Sequence, residues 1–299
     1  MSNIKNDDDF ISKLVFAVKN QSIEEVEYII SSCDNIQDIN INKQDNDGNT
    51  VFILEASSNT NVKVVQYLYN TFKDSIDVNK ENNEGYTAFI LAASSNTNVE
   101  VLQYLYNTFK DLIDINKQDN LGRTAFILAA SVNENVKVLQ YFYNTFKNSI
   151  DVNKETNEGN TAFMLAAQDN TNVEVLQYLY NTFKDTIDVN KENNEGDTAF
   201  MLAASSNKNV EVLQYLYNTF KNLIDINEQN NQGDTAFMLA AVYNENVEVL
   251  QYLYNTFKDA IDVNKEDNKG FTAFILAAAY NENVEVLQYL YNTFKNSID

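Results

Sequence analysis

The chain has 299 residues, a net charge of −22, one cysteine (Cys33) and no histidine, proline or tryptophan. The missing histidine removes Ser-His-Asp and Cys-His nucleophile systems and zinc sites of the Cys/His type, and the negative charge sets the surface against nucleic acid and anionic membranes. A lone cysteine forms no internal disulfide, and no apolar run approaches the ~18–20 residues of a membrane-crossing helix.

Residues 1–9 are polar and acidic, predict a disordered lead, and do not resemble a signal peptide. Without a signal peptide or an apolar span, the expected location is the cytoplasm. Residues 10–46 predict a degenerate repeat that caps the N-terminus, followed by its connector. Leu14 to Val18 take the place of a first helix and Ile23 to Ile30 that of a second. The extra charge of the latter (Glu24, Glu25, Glu27) suits a terminal cap.

Residues 47–299 are seven copies of one 37-residue unit. Gly48, Gly85, Gly122, Gly159, Gly196, Gly233 and Gly270 are the only glycines, each 37 residues from the next. So strict a period predicts stacked repeats. In the copy that begins near Gly85, the glycine sits among Asn and Glu, where a turn with positive φ is expected. Thr87 caps a short apolar helix from residue 88 to about 93, and its Ala92-Ala93 pair lets a neighbouring repeat approach closely. Asn98 caps a longer helix, with Glu100 placed in the first turn where the helix dipole favours an anion. Val99, Leu102, Leu105 and Phe109 form its apolar stripe, widened by Val101 and Tyr104. At helical spacing in every copy, Tyr104 and Tyr106 read as packing residues, not modification sites.

Those residues resemble an ankyrin repeat. Gly85-x-Thr87-Ala88-Phe89-x-Leu91-Ala92-Ala93 is similar to the family's Gly-x-Thr-Pro-Leu-His-x-Ala-Ala, and Asp114-Ile115-Asn116 to its Asp-Val-Asn. The resemblance implies an all-α, ankyrin-like helical repeat solenoid with hairpin turns between units. Here the family's Pro and His are replaced by Ala and by Ile or Met, so its Thr–His latch cannot form. The unit is also four residues longer than the family's 33. Three of these fall around Thr108-Phe109-Lys110 and extend the second helix. No glycine ends that helix, which leaves its termination open.

Two places break the repeat pattern. Glu55 stands where later copies carry alanine, and a salt bridge to Lys13 or Lys19 is the expectation. In the last repeat, Val286, Leu290 and Phe294 are expected to face solvent, which predicts fraying or self-association through the C-terminal end. Asp77-x-Asn79-x-Glu81 faintly resembles the start of a calcium loop, but its glycine falls at the ninth place instead of the sixth and the closing glutamate is missing. No metal and no cofactor are expected, and no catalytic group occurs once only, so no enzyme is expected.

Positions that vary between otherwise equal copies mark candidate contact residues. Those after or before the glycine are Tyr86, Leu121, Arg123, Asp197, Asp234 and Phe271; those at the end of the first helix are Val132, Asp169, Tyr243 and Tyr280. The resemblance implies that these places line the concave face. Exposed aromatic residues there suit a protein interface, and Tyr243, Phe271 and Tyr280 gather in the last two repeats. The function expected is a non-catalytic scaffold for a protein partner, with a basic partner favoured by charge. The alternative is a structural spacer or self-associating rod.

Overall fold

A computed structural model describes residues 7–58 and 60–295. The described residues form sixteen α-helices and a 3-10 turn at Ile36–Asp38. The first pair is α1 (Asp7–Lys19) and α2 (Ile23–Ser31). Each glycine is then followed by a helix of eight residues and one of eleven. These are α3 (Val51–Ser58) and α4 (Val62–Phe72), α5 (Ala88–Ser95) and α6 (Val99–Phe109), α7 (Ala125–Val132) and α8 (Val136–Phe146), α9 (Ala162–Asp169) and α10 (Val173–Phe183). They continue as α11 (Ala199–Ser206) and α12 (Val210–Phe220), α13 (Ala236–Tyr243) and α14 (Val247–Phe257), α15 (Ala273–Tyr280) and α16 (Val284–Phe294). The architecture is the expected all-α repeat solenoid.

Contacts divide the chain into two units, residues 1–129 with 137–150, and residues 130–136 with 151–299. In the first, α1 packs on α2 and α3, α3 on α5, and α4 on α6. Phe10, Leu14, Val18, Val26, Ile41, Val64 and Leu68 form its N-terminal core. In the second, the short helices α9, α11, α13 and α15 pack in series, and the long helices α10, α12, α14 and α16 do the same.

Local chemistry explains the elements. Every glycine has φ between 78° and 86°, and the space around Gly233 shows why no other residue serves. A Cβ there would lie 2.6 Å from the Asn268 backbone nitrogen and 2.7 Å from its Oδ1. The turn needs the left-handed conformation and also leaves room for the asparagine of the next turn. That asparagine joins the turns, donating from its backbone N–H to the Gln232 carbonyl (3.0 Å) and from Nδ2 to the Asn231 carbonyl (2.9 Å).

Threonine caps the short helices as expected, Thr87 Oγ1 accepting from the Ile90 N–H at 3.3 Å, except at α15, where Thr272 makes no side-chain cap bond. At two of the three places where methionine replaces the family's histidine, sulfur partly takes over the missing latch: Met164 and Met238 Sδ accept from the Thr161 and Thr235 N–H groups, each at 3.4 Å. The far ends of α9, α11 and α13 are satisfied by the next repeat. Buried Asn207 donates Nδ2 to the carbonyls of Ala167 (2.9 Å) and Asn170 (3.0 Å), while its Oδ1 accepts from the Asn209 N–H (2.9 Å). The long helix needs no glycine to stop. Its final phenylalanine carbonyl accepts from two following N–H groups; Phe109 receives Leu112 at 2.8 Å and Ile113 at 3.0 Å.

Several expectations are corrected. The short helix extends to Ser95, two residues beyond 93. On the long helix Val101, not Val99, is buried with Leu102, Leu105 and Phe109. Asp7, Asp8 and Asp9 belong to α1 and not to the lead; residues 1–6 lie outside the described residues. Lys13 pairs with Asp9 at 2.7 Å instead of Glu55, and Lys19 is exposed. Val286, Leu290 and Phe294 are buried, because this side of α16 faces the preceding repeat: Phe294 meets Phe237 at 6.0 Å and Tyr254 at 4.8 Å between ring centroids. Tyr280, Val284 and Tyr291 of the last repeat are exposed, and so is Ile275, 44% exposed where its counterpart Met238 is 1% exposed.

Tyr106 packs as expected, edge-on to Phe146 at 4.5 Å. Burial pushes the equivalent of Tyr104 in the next repeat, Tyr141, up to about 12. The Asp and Asn residues of the faint calcium motif hold turns instead: Asp77 Oδ1 accepts from the Asn79 N–H at 3.1 Å, and Asn79 Nδ2 donates to the Leu112 carbonyl at 2.9 Å.

Candidate protein-binding surface

Four of the ten candidate residues meet in one hollow. Asp234, Tyr243, Phe271 and Tyr280 line a cavity of about 300 Å³ together with Gln232, Val242, Asp267, Lys269 and Leu276. Asp234 and Phe271 follow successive glycines. Tyr243 and Tyr280 end α13 and α15, the short helices of the same two repeats. Because the short helices stack with the turns in register, residues 37 apart in sequence become neighbours. Tyr243 is 64% and Tyr280 63% exposed, so two phenol rings stand free beside a half-buried Phe271.

The turns carry a ladder of side-chain contacts. The residue three before one glycine reaches back to the residue just after the preceding glycine. Asn82 Nδ2 donates to Asn49 Oδ1 at 3.0 Å, Asn193 Nδ2 to Asn160 Oδ1 at 2.9 Å, and Asn230 Nδ2 to Asp197 Oδ1 at 2.8 Å. Burial raises the Asp197 carboxyl above its ordinary value, and the Asn230 bond works against the rise.

At the next step the donor is gone. Asp267 occupies the asparagine's place, and Asp234 Oδ1 is buried with no hydrogen-bond partner. Burial raises the Asp234 carboxyl, nearby Asp267 and Asp197 raise it further, and Lys269 pulls it down. Asp267 cannot turn away, since its Oδ1 accepts from the Lys269 and Phe271 N–H groups, both at 2.8 Å. Lys269 lines the hollow and is exposed. Among the described residues it forms no ion pair with either carboxylate.

Tyr86 and Arg123 also meet, but they satisfy each other. Arg123 Nε donates to Asp119 Oδ2 at 2.7 Å, its Nη2 donates to the Tyr86 hydroxyl, and its Cζ lies 5.6 Å from the centre of the Tyr86 ring. Leu121 and Val132 are exposed. Asp169 accepts from the Ser131 hydroxyl at 2.7 Å. None of these three lines the hollow. Asp267 was missed among the sequence candidates although its position varies between copies, because what sets it apart is its pairing with a residue 33 positions earlier.

The hollow combines exposed aromatic area with two carboxylates. A family model described as ankyrin repeats (3 copies) matches residues 14–119, 106–186, 126–224, 164–267 and 216–299. The chain belongs to the ankyrin repeat family. Ankyrin repeats are in general protein–protein interaction modules. No curated protein matches this ankyrin repeat chain. Among its described residues, no helix is long and apolar enough to cross a membrane.

Proposed function

We propose that this chain is a non-catalytic scaffold that binds a protein partner on the face made by its turns and short-helix ends, the concave side in the family's arrays. The contact centre is Tyr243, Phe271 and Tyr280. The observation that supports this reading is that the free aromatic rings share one hollow with two carboxylates, an arrangement that serves no internal packing. Large, rigid aromatic side chains supply contact area at low entropy cost. The net charge of −22 favours a basic partner surface.

The test is affinity capture from a cytosolic extract with the wild type and with the Tyr243→Ala/Phe271→Ala/Tyr280→Ala variant, both shown by circular dichroism to be folded. A protein held by the wild type and lost by the variant supports the reading. An identical captured set from both refutes it. A second reading, self-association through the last repeat, rests on the exposure of Ile275 and of Tyr291. Mass that rises with concentration, and stops rising in Ile275→Lys, supports it; a constant mass refutes it.

A further inference from the structure

The ladder of the turns shows what the hollow lacks. At each hydrogen-bonded step an amide donates to the oxygen in the preceding turn; at the last step Asp267 stands in the amide's place with no proton to give, and Asp234 Oδ1 is left, among the described residues, without a hydrogen-bond partner beside the hollow that both aspartates line. The chain also shows how such a slot is filled. Asp119, in the same turn position as Asp267, is bridged by the Arg123 guanidinium, which lies against the Tyr86 ring. Arg123 is the only arginine of the chain. At the turn of Gly270 its place is taken by Phe271. The aspartate and the aromatic surface are both present there, and the guanidinium is not.

We propose that the hollow receives an arginine side chain of the protein partner, its guanidinium bridging Asp234 and Asp267 and lying against Phe271, Tyr243 and Tyr280. This rests on the binding surface proposed above and names what that surface selects. A guanidinium fits better than an ammonium, because its planar fork donates to two carboxylates at once and stacks on aromatic faces. A metal ion fits less well, since two carboxylates beside three aromatic rings leave most of its coordination unfilled. Lys269 marks the rim. Its charge favours the Asp234 carboxylate, but among the described residues it forms no ion pair there, so it does not replace the incoming donor.

The experiment titrates an acetylated, amidated Gly-Gly-Arg-Gly-Gly peptide into the full chain, followed by the NMR shifts of the Asp234 to Phe271 amides. The same peptide with citrulline keeps the shape and loses the charge. Saturable binding of the arginine peptide, weaker by about tenfold or more with citrulline and in Asp267→Asn, is the expected result. The variant keeps its turn, because Asn230 occupies the same position in the preceding repeat and makes the same bonds to its own backbone. Equal binding of both peptides, equal binding by Asp267→Asn, or no saturable binding of the arginine peptide overturns the proposal. The surface reading is judged separately. Partner capture that is lost in the aromatic triple variant but kept in Asp267→Asn leaves the surface standing and removes the arginine.

Discussion

The turn at Gly122 and the turn at Gly270 carry the same aspartate, three residues before the glycine, and treat it differently. Asp119 has a side chain 0% exposed and an arginine at 2.7 Å. Asp267 has only its own backbone donors and a second carboxylate across the step. The backbone of the two turns is otherwise alike: Asp119 N–H donates to Arg123 O at 3.0 Å and Asp267 N–H to Phe271 O at 2.9 Å. What differs is whether the chain supplies the cation itself. The comparison teaches that this scaffold tolerates an acidic step when a donor accompanies it. A step without one leaves a buried carboxylate oxygen unpaired.

The strongest way to break the comparison is to disturb the stacking that brings the turns into register. Gly233→Ala forces both an unfavourable φ and a collision with Asn268, and is expected to cost about 3 kcal/mol. Gly270 has nothing closer to its would-be Cβ than Glu266 Oε2 at 3.9 Å, so Gly270→Ala is expected to cost only about 1 kcal/mol. Urea denaturation measures both, and equal costs would show that stacking is not what excludes the side chain. Next in size, Arg123→Ala strands the buried Asp119 carboxylate and is expected to cost about 2 kcal/mol. Most of that loss should return in the Arg123→Ala/Asp119→Asn double variant. An unrecovered loss would mean that Arg123 acts through packing on Tyr86. The smallest effect comes from exchanging steps. Asn230→Asp copies the Asp234–Asp267 arrangement onto Asp197 and is expected to destabilise by about 1 kcal/mol at neutral pH, a figure kept low by the partial exposure of these groups.

Much of this was legible in the sequence. The glycine period, the threonine and asparagine caps and the short and long helices follow from local patterns that need no third dimension. The aromatic group Tyr243, Phe271 and Tyr280 was visible as departures from a repeated template. The faces of the last repeat were not legible in the same way. Val286, Leu290 and Phe294 form a clean stripe, but periodicity does not say which neighbour the stripe meets. The role of Asn207 and the pairing of Asp234 with Asp267 depend on the register between repeats, so they appear only once the turns are stacked. Glu55 is fully buried, and of the two lysines expected to accompany it, Lys13 pairs with Asp9 and Lys19 is exposed.

The most direct test of the account is the unfolding free energy of wild type and Asp267→Asn across pH, with Asp259→Asn as an exposed control for net charge. The folded Asp234 carboxyl is raised from its ordinary value of 3.8, first by burial and then by Asp267. The penalty on its charged form is therefore complete above the folded pKa and disappears as pH falls to the unfolded value. Asp267→Asn restores an amide donor of the kind Asn230 gives Asp197, and it should be more stable than wild type by about 1 kcal/mol at neutral pH. That gap should exceed the control's and close on acidification. A variant no more stable than wild type, or a gap that does not change with pH, would contradict the claim that this step lacks its donor.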